Sequence, residues 1–256
     1  MSTDPVIRQH HYKEASDNYY TAFFYTGEYE SWQLGIVLKA LDLSESDRLA
    51  DIGGGTGRFA SLIYEKAKLR QPVTCVDPSS DMLSQAKEFE GVEAICCSGV
   101  KFALKNDGST YDRVLLKEVV HHLTEKDLET LFSCLLHKLS RRGKIVICTR
   151  PHEVEYPFFQ AAHDVWKRNQ SPKEYYVSLL EKTEFRVTSV SVFEYPASVK
   201  INWWTDMIKN RFWSTFSEFS DKELLAGINE IYKQYGSSDS VNFLEKYVLI
   251  VAEKKL

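Results

Sequence analysis

A chain of 256 residues with 43% hydrophobic content can bury one large α/β core, and a single domain over 1–256 is expected. Its 36 acidic and 32 basic residues leave a formal charge of −4, and the basic ones are scattered along the sequence, which argues against nucleic acid or an anionic membrane as partner. No apolar run approaches the roughly 20 residues that span a bilayer, and the five cysteines sit mostly in apolar segments, as buried thiols of a reducing compartment do, so the cytoplasm is the expected location.

The segment from His11 to Ala40 has helical period and is unusually aromatic, with Tyr19, Tyr20, Tyr25 and Trp32 among its rings. From Arg48 onward, short β-type runs alternate with helical stretches, the pattern of parallel strands joined by right-handed crossovers. The expected elements are a strand at Arg48 to Ile52, a helix at Phe59 to Leu69, a strand at Pro72 to Val76 and a helix at Asp81 to Phe89. Strands follow at Val92 to Cys97 and Tyr111 to Leu116, then an amphipathic helix at Asp127 to Leu139, a turn at Arg141 to Gly143 and a strand at Lys144 to Thr149. Further on, helices are expected at Pro172 to Lys182 and Asp221 to Tyr235, with strands at Phe185 to Phe193 and Tyr247 to Ala252. The expected fold is α/β: a doubly wound, Rossmann-like, mostly parallel sheet with an antiparallel C-terminal strand and helices on both faces. Aromatic-rich insertions near 155–170 and 202–219, with the segment 10–40, are expected to form a helical cap.

The chemistry concentrates in Asp51-Ile52-Gly53-Gly54-Gly55-Thr56-Gly57, between the first strand and the first following helix. Glycines in that context let a backbone turn come close to a ligand. A pyrophosphate-binding fingerprint would put its third glycine at position 58, which is Arg58, so a dinucleotide is disfavoured. Asp51 precedes the turn, and Asp77, at the end of the second strand, can accept hydrogen bonds from two ribose hydroxyls. Two acids without a basic phosphate clamp suit a ligand with a ribose and a positive charge.

These residues, with Val76-Asp77-Pro78-Ser79 through Met82, Tyr111-Asp112 leading to His121-His122-Leu123, and Leu139 through Gly143 to Val146, make the chain resemble class I S-adenosylmethionine-dependent methyltransferases of small-molecule type. The resemblance is strong from Asp47 to Thr149 and looser elsewhere. It implies S-adenosylmethionine as cofactor, with Asp51, Gly53, Gly54, Gly55 and Gly57 along its methionine part. It also implies Asp77 and Pro78 at the ribose, Met82 against the adenine, and Lys117 and Glu118 beside the sulfonium. Many relatives carry Gly-Asp-Ala after the third strand; here the stretch is Cys97-Ser98-Gly99, which shifts adenine recognition to Ser98, Gly99 or backbone atoms.

Methyl transfer from a sulfonium is an in-line displacement, for which positioning alone can supply on the order of 7–11 kcal/mol. His122 or His121 is the candidate base, with packing at a helix start as the competing role. Arg150 at the end of the fifth strand, and the rings of Tyr19, Tyr20, Tyr25, Trp203 and Trp204, are candidate substrate contacts, against surface or core roles. No metal site has the right spacing. The expected activity is methylation of O or N of a small metabolite by a monomer or homodimer; a protein methyltransferase and an inactive cofactor-binding scaffold are the alternatives.

Overall fold

The computed structural model describes residues 26–236 and 238–255. Tyr19, Tyr20, Tyr25 and the start of the 10–40 segment lie outside them. Two compact units divide the chain. One comprises Ser31–Arg150, Pro172–Phe193 and residues 247–255; the other comprises residues 26–30, Pro151–Ser171 and Glu194–Lys246.

The larger unit begins within α1 (Gly27–Leu41) and continues through β1 (Leu49–Ile52), α2 (Arg58–Ala67), β2 (Val73–Asp77), α3 (Ser80–Ala86), β3 (Val92–Cys96) and α4 (Gly99–Leu104). It goes on with β4 (Tyr111–Lys117), a 3-10 turn (Val120–His122), α5 (Glu125–Lys138) and β5 (Leu139–Thr149), and then α7 (Lys173–Lys182) after α6 (Gln160–Asn169) of the smaller unit. Two long strands, β6 (Phe185–Lys200) and β7 (Ser240–Lys254), each run through both units. The sheet order is β3-β2-β1-β4-β5-β7-β6. Strands β1 to β5 pair in parallel, and β7 pairs antiparallel to β5, with Ile147 opposite Ile250.

Every residue of β1 is buried, as expected of a central strand with both faces covered. Helix α5 starts at the Thr124 cap, whose hydroxyl accepts the Asp127 N–H, and buries Leu128, Leu131, Phe132 and Leu135 at helical spacing. They join Phe102, Tyr111, Val114, Ile145 and Ile147 in one core.

Three expectations change. Arg141 to Gly143 is no separate turn but a wide bulge inside β5: Tyr111 pairs with Leu139 and Arg113 with Lys144, so four residues stand against Asp112 alone. The strand expected to stop at Phe193 runs on to Lys200, because exposed and covered residues keep alternating past Pro196, which an edge strand tolerates. Helix α4, unforeseen, occupies the stretch after Ser98.

The smaller unit has its own aromatic core. The insertions near 155–170 and 202–219 supply α6, α8 (Ile201–Lys209) and a 3-10 turn (Ser214–Glu218), followed by α9 (Asp221–Tyr235) behind a Ser220–Glu223 capping box. Phe158 stacks on Trp204 with centroids 5.6 Å apart, Trp204 meets Trp213 at 5.0 Å, and Tyr156 lies edge-on to Trp166 at 5.4 Å. Trp204 is fully buried, with its indole N–H donating to the Pro157 carbonyl at 2.7 Å. The ring and the donor of this candidate substrate contact are both engaged in packing. Trp203 is half-buried on the same helix. Among the described residues no helix is long and apolar enough to cross a membrane.

Candidate functional site

The glycine turn stands at the C-terminal end of β1, where open α/β sheets hold ligands. It is stapled to β2 by two hydrogen bonds, from the Gly53 and Gly54 N–H groups to the Val76 carbonyl at 2.7 and 3.2 Å. Gly53 has φ +76° and lies under Val119, where a Cβ would come within 2.6 Å of Val119 Cγ2. Gly55 has φ +58°, but a Cβ there would meet nothing closer than Met82 Cε at 3.5 Å. Gly53 is therefore demanded by both packing and conformation. Gly55 is demanded by conformation, and among the described residues nothing else crowds the space over it.

Asp77 closes the other wall. One carboxylate oxygen accepts the Gly55 N–H at 3.1 Å, and the other accepts the Ser79 N–H at 2.8 Å. Each oxygen keeps a second lone pair, so the carboxylate is oriented without being saturated. Burial raises its pKa, while the Ser79 and Gly55 hydrogen bonds oppose the rise. Ser79 also caps α3 through its hydroxyl, which accepts the Met82 N–H and so seats Met82 beneath the turn.

Asp51 is buried behind the turn, and among the described residues its Oδ1 has no hydrogen-bond partner. Burial pushes its pKa up to about 7; Lys117 lowers it and Asp77 raises it further. Lys117 lies with its ammonium 4.8 Å from the centre of the Phe59 ring, and desolvation lowers its pKa. Arg150, almost wholly buried at the end of β5, forms an ion pair with Glu118 at 3.4 Å. Glu118 holds φ +56° and donates its N–H to the Cys148 carbonyl at 2.8 Å, which fixes the end of β4 against β5.

His121 and His122 share the 3-10 turn, with ring centroids 3.9 Å apart, both half-buried. Ser98 caps α4, its hydroxyl accepting the Lys101 N–H at 3.2 Å, and a Cβ on Gly99 would strike Ile52 Cγ2 at 2.6 Å. Both residues therefore have structural work at the end of β3. The fold thus gathers Asp51, the glycines, Asp77, Pro78 and Met82 at the ends of β1 and β2, and Lys117, Glu118 and Arg150 at the ends of β4 and β5. Pro78 leads from Asp77 to Ser79, and the Cys96 thiol faces its carbonyl at 3.8 Å. Sequence reasoning missed Ser79, Phe59 and Cys75; the last lies directly under Gly54, where a Cβ would come within 2.6 Å of its sulfur. Only the Ser-x-x-Met spacing of a helix cap signalled Ser79 in advance.

A parallel sheet ordered 3-2-1-4-5, extended by an antiparallel strand and carrying a glycine turn after β1 with an acid after β2, defines a Rossmann-like methyltransferase fold. Residues 49–143 match the family model described as a methyltransferase domain. An uncharacterized methyltransferase of Staphylococcus carnosus is 25% identical over 119 residues, 46% of this chain and 55% of that protein. Indole glucosinolate O-methyltransferase 1 of Arabidopsis thaliana is 28% identical over 132 residues, 48% of this chain and 32% of that protein. The chain thus spans between a third and just over half the length of these relatives. The solved structure of Haemonchus contortus phosphoethanolamine N-methyltransferase 2 with S-adenosyl-L-methionine superposes with a TM-score of 0.56 at 19% identity, over 88% of this chain and 53% of that one. Residues 49–143 therefore match a methyltransferase domain, and the fold is shared with a methyltransferase solved with S-adenosyl-L-methionine.

The residues present fit the group. Among the described residues Asp51 Oδ1 is a buried acceptor without a donor, as a site for a cationic ligand requires, Asp77 has lone pairs to spare, and a Cβ on Gly55 would come within 4 Å of Met82 Cε alone.

Proposed function

We propose that the chain methylates O or N of a small molecule. The observation that carries this reading is the orphaned Asp51 carboxylate behind an open glycine turn, a place made for positive charge. When bound, S-adenosylmethionine supplies an electrophilic methyl group on a sulfonium. Asp77 would accept hydrogen bonds from the ribose hydroxyls, and Asp51 would offset the ligand's positive charge. Met82 would pack against the adenine, with Pro78, Ser98 and Gly99 nearby. Lys117 and Glu118 would border the reacting centre, where Arg150, paired with Glu118, would orient the acceptor. His122 or His121 takes the proton that the acceptor O or N gives up.

The net charge of −4 supports a small acceptor over nucleic acid. An O-methyltransferase among the relatives and an N-methyltransferase among the similar structures support either acceptor atom. Five unpaired cysteines are consistent with the cytoplasm. The test is incubation of the purified chain with labelled methyl donor and metabolite extracts, read by mass spectrometry. A labelled small molecule is expected, absent with Asp77→Ala; label confined to protein or nucleic acid would overturn the reading.

A further inference from the structure

At the edge of the sheet where the parallel strands begin, away from the glycine turn, the larger unit holds a cavity of about 560 Å³. Seven cationic side chains and two acids line it, a surplus of five positive charges in a chain whose net charge is −4. The cations come from separate stretches of the sequence, around Arg113, Arg141 to Lys144, Arg186 and Lys254 to Lys255. Arg113 near the start of β4 pairs in register with Lys144, and the β5 bulge projects the exposed Arg141 and Arg142 beside them. Gly143 makes the bulge possible, since a Cβ there would strike Leu139 Cβ at 2.7 Å.

The two acids serve to hold cations in place. Lys144 bridges Asp42 at 3.3 Å and Glu253 at 3.8 Å, while Arg186 pairs with Glu253 at 2.7 Å. Arg113 is tied to the Leu41 and Asp42 carbonyls and to Asp47. Arg141, Arg142 and Lys255 pair with no acid among the described residues. Two guanidinium groups that line one cavity and pair with no acid among the described residues, together with an anchored lysine, suit a polyvalent oxyanion, because the planar fork grips two oxygens of a phosphate at once.

We propose that this cavity binds a small polyvalent phosphate anion at a site separate from the methyl-transfer centre. A volume of this size holds a compact ligand. The net charge of −4 disfavours nucleic acid as the occupant.

The probe is inorganic tripolyphosphate, titrated calorimetrically into the full chain at low ionic strength. Saturable binding is expected, weakened roughly tenfold or more in Arg141→Glu/Arg142→Glu. Lys255→Glu, at the end of the described chain and outside the core, gives a second variant with a smaller loss in the same direction. Thermal melting and S-adenosylmethionine binding are expected to stay unchanged in both, which separates failure here from failure of the methyl-transfer reading. Absence of saturable binding, or equal binding by wild type and both variants, overturns the proposal. So does a single-stranded RNA that outcompetes tripolyphosphate with a steep salt dependence, which would make the face a nucleic-acid surface.

Discussion

The backbone N–H of Gly55 donates to the Asp77 carboxylate at 3.1 Å, joining the turn after β1 to the end of β2 across 22 positions of sequence. The acid expected to hold the ribose thereby also fixes the turn expected to admit the methionine part. Replacing Asp77 with Ala leaves the Gly55 and Ser79 donors unmet, so a stability loss of about 1–3 kcal/mol should accompany loss of cofactor binding. Chemical denaturation and calorimetry would measure the two effects; full binding in Asp77→Ala would refute the assignment.

Gly53 and Gly55 should respond differently to Ala. Both take up a left-handed conformation that costs about 1–2 kcal/mol, but only at Gly53 does the new Cβ also collide with Val119. Gly53→Ala is expected to lower the melting temperature more than Gly55→Ala. Gly55→Ala should fold and lose cofactor affinity, because its methyl group enters the space left for the ligand. Equal melting shifts with intact binding in both would contradict this account.

Asp51 makes the site sensitive to pH. Its folded pKa of about 7 lies above the ordinary 3.8, so it costs no stability below 3.8, where both states are protonated; the destabilisation grows between 3.8 and about 7, where only the unfolded state is ionised, and is constant above that. The ligand-free protein should therefore gain on the order of 1–3 kcal/mol at alkaline pH from Asp51→Asn. Affinity for S-adenosylmethionine should rise through the same window in the wild type, as the carboxylate ionises, and should lose that dependence in Asp51→Asn. A flat affinity profile in the wild type would remove Asp51 from the role of counter-charge.

Arg150 and Glu118 form a coupled pair. Glu118→Gln removes one charge partner of a nearly buried guanidinium and should cost on the order of 1–3 kcal/mol. The double variant Arg150→Met/Glu118→Gln should recover much of that loss while reducing turnover, if Arg150 orients the acceptor. A double-mutant cycle of denaturation midpoints gives the coupling; additive losses would mean that the pair has no energetic coupling.

In the smaller unit, Trp204→Ala should cost about 3–5 kcal/mol, the expected loss for a wholly enclosed ring. Trp204→Phe keeps most of the packing but loses the indole donor to Pro157, so it should cost less. The difference between their thermal midpoints separates ring volume from the hydrogen bond.

Local patterns in the sequence were enough to mark the strand–turn–helix around Gly53 to Gly57, the acids Asp51 and Asp77, and α5 with its four core leucine and phenylalanine positions. Each depends on residues a few positions apart: hydrophobic period, glycine at a turn, an acid at a strand end. Tertiary structure decided what depends on distant partners. Folding left Asp51 Oδ1 without a donor among the described residues and set Arg150 beside Glu118. It also turned Trp204 inward, and it collected basic residues that look scattered in the sequence around one cavity. Burial and charge proximity are properties of the folded surface; a linear chain carries the side chains but not the dielectric or the neighbours that decide what each one does.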